Sequence, residues 1–561
     1  MSVEMRRGVW WFLGTLGISL VVAVSPWVGL VDQAASATVP VRTFPARVDL
    51  TAQQTPLKNQ GNRNTCITFA AIAAMEAAYR RAGYGALDLS EEFLNHMGKM
   101  GWLHPRWSEL QARGSSWRET QVAAYGGGMG MVYIEQLANG LAVPQEELMP
   151  YRPEGYPRET GGRDWTDPHW NMQRNASDFN LDIRVLPIRA LQAERYFSVQ
   201  EHTWIYRDRR PTDPTSASEF ERVLAEGREI VWDFDVNGDR SGSIWRFSST
   251  ASSEGAHSML IVGYDRTARD PRDHYFIAKN SWGPTGNPGD FTWISYDYLR
   301  YGINAGYIRS VKAPHRWHEL AFIGRWALSF DGHKGWLDIY HIPGLMQSNF
   351  RLEGVAITDR RVGSFYDATG AAYRVNGSMS ANSIQFHIDW SRPNLRWDEL
   401  PTSARRFDYF LFWRDADNEE KRVMAGFHRD PDGRTWAGYA HRLGHPAPLR
   451  DVPKPLRPDS YLGRWSFETM LLSGRIELTR REGNVLHGRF FPARGGPEGE
   501  VRAAVDASDP ALISIAGPGF NMQGRYLSHD RGIIAGRGGR SGVPGYSHLA
   551  TFGFYALYLG R

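Results

Sequence analysis

A single cysteine, Cys66, sits in a chain of 561 residues, so no intrachain disulfide can claim it. It closes the segment Lys58-Asn59-Gln60-Gly61-Asn62-Arg63-Asn64-Thr65-Cys66, and a run of small residues, Phe69 to Ala78, follows at once. That run predicts a helix beginning near the thiol. The positive end of a helix dipole lowers a thiol pKa and favours the nucleophilic thiolate. A buried structural cysteine is the alternative fate of a free thiol. Two later segments supply what a thiolate needs, which is a base for its proton and a neighbour that fixes the base's ring. His257 opens an apolar run that ends at Gly263-Tyr264, and Asn280 ends the run Tyr275 to Lys279 as part of Asn280-Ser281-Trp282-Gly283. A strand-end histidine and a turn asparagine are the plain readings of each residue alone. Their order behind Cys66 argues for chemistry.

The three blocks together resemble the papain-like cysteine peptidases, which carry Gln-Gly ahead of the cysteine, a histidine-bearing strand and an Asn-Ser-Trp-Gly block. The resemblance implies an α+β two-lobe peptidase fold and a role for each residue. Cys66 attacks the scissile carbonyl as thiolate, paired with His257 as imidazolium, and His257 then protonates the leaving amine. Asn280 orients the imidazole, Gln60 donates to the oxyanion, and Trp282 shields the His–Asn hydrogen bond. Gly127 and Gly128 match the family segment that holds an extended substrate, and Ser258 is a further substrate-binding candidate. No cofactor and no metal are implied. The chain departs from the family at Arg63, Asn64 and Ile67, where the family has a second cysteine, a small residue and an aromatic. Losing that cysteine removes a disulfide, Asn64 is expected to narrow access to the thiol, and Arg63 is a candidate to hold the thiolate or steer an acidic substrate. His257 follows Cys66 at a greater distance than the family's roughly 130–150 residues.

The elements that must position these residues divide the chain. Arg6 and Arg7 precede an apolar run to about Val31, with Ala35-Ser36-Ala37 as a cleavage site, so residues 1–37 read as a signal peptide or, uncleaved, an anchor. The expected location is secreted, periplasmic or otherwise extracytoplasmic. Only Thr38 to about Arg47 then precedes the enzyme-like sequence, which is too short for a blocking propeptide. The peptidase domain is expected over 38–312, with an insert at about 152–218 forming a surface subdomain and family-like sequence resuming at Phe220.

From about Ala313 the chain changes character. Ile323-Gly324-Arg325-Trp326 followed by Gly335 repeats as Leu462-Gly463-Arg464-Trp465 followed by Gly474, and alternation as in Ile384-Gln385-Phe386-His387-Ile388 marks half-buried strands. These units resemble small antiparallel barrels of the avidin or lipocalin type, expected at 313–445 and 461–561 with a proline-rich linker at 446–460. Trp326, Trp336, Trp390, Trp413, Trp436 and Trp465 are either core or the lining of a site for a small molecule, glycan or lipid. A net charge of +4 with interspersed acidic residues argues against nucleic-acid binding. Three functions fit the sequence: an exported cysteine endopeptidase acting on peptides or proteins, a thiol acyltransferase on the same fold, and a non-catalytic binding protein.

Overall fold

The computed structural model describes residues 44–100, 128–155, 168–207, 215–250, 255–330, 333–340, 361–380, 383–390, 407–414, 423–432, 435–443, 456–469, 472–493, 498–528, 532–539 and 552–561. The expected signal peptide and most of the proline-rich linker lie outside the described residues. Among the described residues, no helix is long and apolar enough to cross a membrane, and no group of three or more His, Cys, Asp or Glu side chains is placed to hold a metal ion.

The first half is a papain-like α+β domain. Helix α1 (Cys66–Arg81) is rich in alanine and buried along nearly its whole length, which lets it run through the interior without gaps. Helix α2 (residues 91–100) and helix α3 (Gly130–Ala138) also belong to this half. The sheet runs β2 (Val199–Tyr206), β8 (Gly302–Val311), β3 (Ile230–Asp235), β5 (Ala256–Asp265), β6 (Tyr275–Lys279), β7 (Thr292–Ser295) and β4 (Ile244–Trp245), with β1 (Arg47–Asp49) also pairing β5. The strands β3, β5 and β6 read as near-continuous apolar runs and are buried on both faces.

Two expectations shift. The stretch 152–218 is not wholly a surface insert, because it contributes helix α4 (Pro168–Leu181) and the edge strand β2, whose register runs from Val199 opposite Val311 to Tyr206 opposite Ala305. The peptidase half also extends past Lys312: Tyr196 and His315 exchange backbone hydrogen bonds at 2.8 and 3.2 Å, and Trp317 packs edge-on against Tyr196.

The second half is two closed eight-stranded antiparallel barrels. The first holds β9 (Gly324–Phe330), β10 (His333–Ile339), β11 (Arg361–Asp367), β12 (Ala372–Met379), β13 (Ser383–Asp389), β14 (Phe407–Arg414), β15 (Val423–Arg429) and β16 (Thr435–Arg442). The second holds β17 (Gly463–Thr469), β18 (Ser473–Glu482), β19 (Val485–Pro492), β20 (Gly499–Val505), β21 (Leu512–Gly517), β22 (Phe520–Ser528), β23 (Ile533–Gly539) and β24 (Phe552–Gly560).

The Gly-x-Trp repeat marks equivalent corners. A short 3₁₀ turn precedes each first strand, and the tryptophan's indole N–H donates back into it: Trp326 to the Phe322 carbonyl and Trp465 to the Tyr461 carbonyl, both at 2.8 Å. Gly324 and Gly463 have φ of 142° and 132°, a region that side chains avoid, so the corner itself requires glycine. Of the six tryptophans, Trp326 and Trp465 are buried core, Trp336 is exposed and Trp390 half-buried; the side chains of Trp413 and Trp436 lie outside the described residues.

Candidate active site

The oxyanion candidate is held by the turn that follows Asn280. Gln60 is buried, its backbone N–H donates to the Ser281 carbonyl at 2.8 Å, and its side-chain oxygen accepts the Ser281 hydroxyl at 2.6 Å. Its side-chain nitrogen donates to the Arg63 carbonyl at 2.8 Å. An amide nitrogen carries two hydrogens, so that bond does not exhaust it.

Cys66 is the first residue of α1, behind Thr65 at the N-cap. Backbone groups of Ser258 and Ile67 lie close enough to its sulfur to favour the thiolate. Ser258 follows His257 on β5, so this contact brings the thiol helix onto the histidine strand. The His257 Nε2 lies 2.9 Å from Asn280 Oδ1, which makes Nε2 the protonated nitrogen of a neutral ring and leaves the lone pair on Nδ1. The Asn280 amide is itself fixed: Oδ1 also accepts from the Ser281 N–H at 2.8 Å, and Nδ2 donates to Thr292 Oγ1 at 3.3 Å. Trp282, 39 % exposed, stacks on the imidazole with centroids 4.2 Å apart, and Phe234 meets the ring's other surroundings edge-on at 5.7 Å.

Burial works against charge here. It pushes the Cys66 thiol up to about 11, with the Asp233 carboxylate adding to the rise while Lys99 and those backbone groups oppose it. Burial likewise pushes His257 down to about 4, against the Asn280 hydrogen bond. Each group alone is therefore neutral, and a thiolate set up by the helix dipole alone is not what this environment favours.

The other candidates fare differently. Gly127 lies outside the described residues. Gly128 has a φ of 100°, and a Cβ there would stand 3.0 Å from Ile67 Cδ1, so this segment packs on the residue that follows Cys66. The Ser258 side chain is buried and donates to Asp233, so only its backbone faces the sulfur. Asn64 is exposed and Ile67 buried.

Arg63 neither holds the thiolate nor steers substrate. It is 1 % exposed, forks onto Glu92 at 2.6 and 2.9 Å, and donates to the Arg152 carbonyl at 2.7 Å and to Asn180. Where the family pattern has a disulfide-forming cysteine, this chain has a buried ion pair.

Sequence reasoning missed Asp233 and Lys99. Asp233 is a lone carboxylate inside the apolar run Ile230 to Phe234, which is a visible signal; Lys99, 1 % exposed and brought down to about 7 by burial, carries none. It also missed the charges behind Asn280. Lys279 donates to Thr55 at 2.8 Å, Thr55 donates to Glu76, and Lys58 reaches Glu91 at 2.8 Å and Glu76 at 3.6 Å.

Comparison with known proteins adds to this geometry. Residues 198–308 match the family model described as papain family cysteine protease; that span holds His257 and Asn280 but not Gln60 or Cys66. No curated protein matches the chain. Among solved structures, it is similar to xylellain, a cysteine protease from Xylella fastidiosa, at 21% identity and a TM-score of 0.32 over 48% of this chain and 88% of that one. It is also similar to the clostridial cysteine protease Cwp84 after propeptide cleavage, at 19% identity and a TM-score of 0.31, covering 50% of this chain and 63% of the other. A recombinant stem bromelain precursor follows at 16% identity and a TM-score of 0.30, covering 48% and 71%.

Proposed function

We propose, for a chain that carries a papain-family cysteine protease domain ahead of two closed barrels, that it hydrolyses peptide bonds through an acyl-enzyme on Cys66. The observation that carries this reading is the His257 ring, oriented by Asn280 and roofed by Trp282, next in sequence to Ser258, whose backbone lies against the Cys66 sulfur. As Cys66 attacks, its proton passes to His257, and the imidazolium then protonates the leaving amine. The second Gln60 N–H stabilises the oxyanion, a contribution of roughly 3–4 kcal/mol in comparable sites. Water then gives a proton to the regenerated imidazole as its oxygen attacks the thioester carbonyl, and the C–S bond breaks to release the acid and return the Cys66 thiol.

The arginine pair and apolar run near the N-terminus support an extracytoplasmic location, and the barrels are read as docking or ligand modules that hold the peptidase near its substrate. The full-length protein, incubated with a peptide library and separately with a labelled cysteine-reactive epoxide, is expected to cleave peptides and to be labelled at Cys66. Labelling without cleavage overturns hydrolysis, and transfer of the acyl group to an added amine in place of water would make the protein an acyltransferase.

A further inference from the structure

Asp233 stands inside β3 and is 2 % exposed. A carboxylate removed from water needs donors for its lone pairs, and Asp233 has four. Oδ1 accepts the Gly130 N–H at 2.8 Å and the Ser258 hydroxyl, Oδ2 accepts the Met131 N–H at 3.4 Å, and the Asn304 side chain donates as well. Gly130 and Met131 are the first residues of α3, where unpaired N–H groups and the helix dipole favour an anion. Ser258 and Asn304 stand opposite Asp233 in register on β5 and β8. One side chain thus joins a helix start to three strands.

Two of those partners border the nucleophile. The Ser258 backbone lies against the Cys66 sulfur and favours its thiolate. A Cβ on Gly130 would lie 3.2 Å from Asp233 Oδ1, 2.8 Å from Val231 Cγ1 and 3.6 Å from the Ile67 carbonyl, so α3 begins in contact with the residue after Cys66. Gly128, two residues earlier, rests on the Ile67 side chain.

We propose, resting on the peptidase reading above, that Asp233 is a positioning residue: its carboxylate pins the start of α3 to the strand that bears His257, and so sets the gap between the Gly128 edge and Cys66 through which an extended substrate approaches. It also places near the sulfur a carboxylate whose pKa burial raises to about 6, so that its negative charge acts on the thiol above that pH. The titratable groups around it are Cys66 on α1, His257 on β5 and Tyr206 on β2, with Lys99 on α2 acting on Cys66 from the other side.

The test compares full-length wild type with Asp233→Asn and Ser258→Ala, which keep the shape of the site while removing the charge or one donor. It reads kcat and KM on a peptide with several residues before the scissile bond and on a single-residue amide. It also reads Cys66 alkylation by chloroacetamide, a neutral probe, between pH 5 and 10. Asp233→Asn is expected to lose about 10²-fold in kcat/KM on the long peptide, the cost of a small misplacement, and far less on the single-residue amide. Its alkylation profile should move to lower pH, because a neutral side chain no longer opposes the thiolate. Ser258→Ala should lose in the same direction and by less.

Equal losses on both substrates with an unmoved alkylation profile would show an ordinary structural residue and overturn the proposal. If Asp233→Asn does not fold, Ser258→Ala decides: unchanged discrimination between the two substrates overturns it. A wild type that is alkylated yet cleaves nothing removes the peptidase reading alone, and the alkylation shift still reports whether Asp233 acts on the sulfur.

Discussion

The peptidase half and the second barrel bury opposite kinds of residue. Inside the peptidase half lie Arg63, Glu76, Glu91, Glu92, Lys99, Asp233, His257 and Lys279, all under a tenth exposed. The second barrel buries Trp465, Phe467, Phe490, Phe520 and Phe554 among aliphatics, with no buried carboxylate, histidine, lysine or arginine among its described residues. The first barrel is intermediate. Its interior pairs His428 Nε2 with Asp408 at 2.6 Å, and Trp390 donates to the same carboxylate. By strand register the second barrel places Phe520 and Gly538 where the first has Asp408 and His428. Buried charge costs desolvation and is weak evidence for stability. Its concentration around Cys66 and Asn280 therefore indicates that geometry, more than stability, is what those pairs maintain, whereas the interior of the second barrel is held by apolar packing.

Substitutions can break that contrast. The largest effect is expected at Cys66→Ala, which should lower peptide hydrolysis about 10⁶-fold, as for a removed nucleophile elsewhere. Gln60→Ala should lower kcat about 10²–10³-fold. Cys66→Ala should leave the melting temperature nearly unchanged, whereas Gln60→Ala should lower it modestly, because the Ser281 hydroxyl and the Arg63 carbonyl lose their partner, a cost of about 1–3 kcal/mol. Steady-state kinetics beside calorimetry reads the two effects separately. The opposite pattern is expected in the second barrel: Trp465→Ala should cost about 3–5 kcal/mol in denaturant unfolding through the cavity it leaves, with kcat/KM on a small peptide unchanged. A fall in activity there would mean that the barrel takes part in catalysis.

Arg63→Met takes the guanidinium from buried Glu92, leaving it only His96 and the Arg152 N–H, and should cost about 3–5 kcal/mol, while adding Glu92→Leu should restore much of the loss. The same pair predicts a pH dependence. Burial would raise the Glu92 pKa, but Arg63 and His96 outweigh it and bring it down to about 2. A depressed carboxylate stabilises the fold above its unfolded value near 4.5 and loses that contribution as pH falls towards 2, in all about 3 kcal/mol. Acid titration of the melting temperature should show this slope in wild type and a weaker one in Glu92→Gln. The smallest effect belongs to the first barrel, where Asp408→Asn removes the anionic acceptor of His428 and should cost about 1–3 kcal/mol; an equal loss on Phe520→Leu in the second barrel would erase the distinction between the two.

What the sequence disclosed depended on whether a residue's partner was local. Gln60, Cys66, His257, Asn280 and Trp282 each sit in a short recognisable context, and the structure brings Gln60 to Ser281 and His257 to Asn280 and Trp282. The barrels were legible because Gly324, Trp326 and Gly335 repeat at the same spacing as Gly463, Trp465 and Gly474, and these residues fix a corner and a close strand crossing. Arg63 was misread because its partners, Glu92, Arg152 and Asn180, come from three distant segments. Strand β2 was missed because an edge strand with one solvated face, Val199-Gln200-Glu201-His202, looks like polar loop. Asp408 and His428 gave no signal, since a single polar residue in an alternating strand does not say which face it occupies.

On the peptidase reading proposed above, barrel closure has a consequence. A cleft working on extended backbone needs a strand whose hydrogen-bonding edge is free to be drawn out, and a sheet edge is the ordinary place to find one. In both barrels every strand is paired on both sides, β9 with β16 and β17 with β24 completing each circle. To pull any strand into a cleft, two ladders must be broken at once. A peptidase can thus carry these two appendages at high local concentration without treating them as substrate.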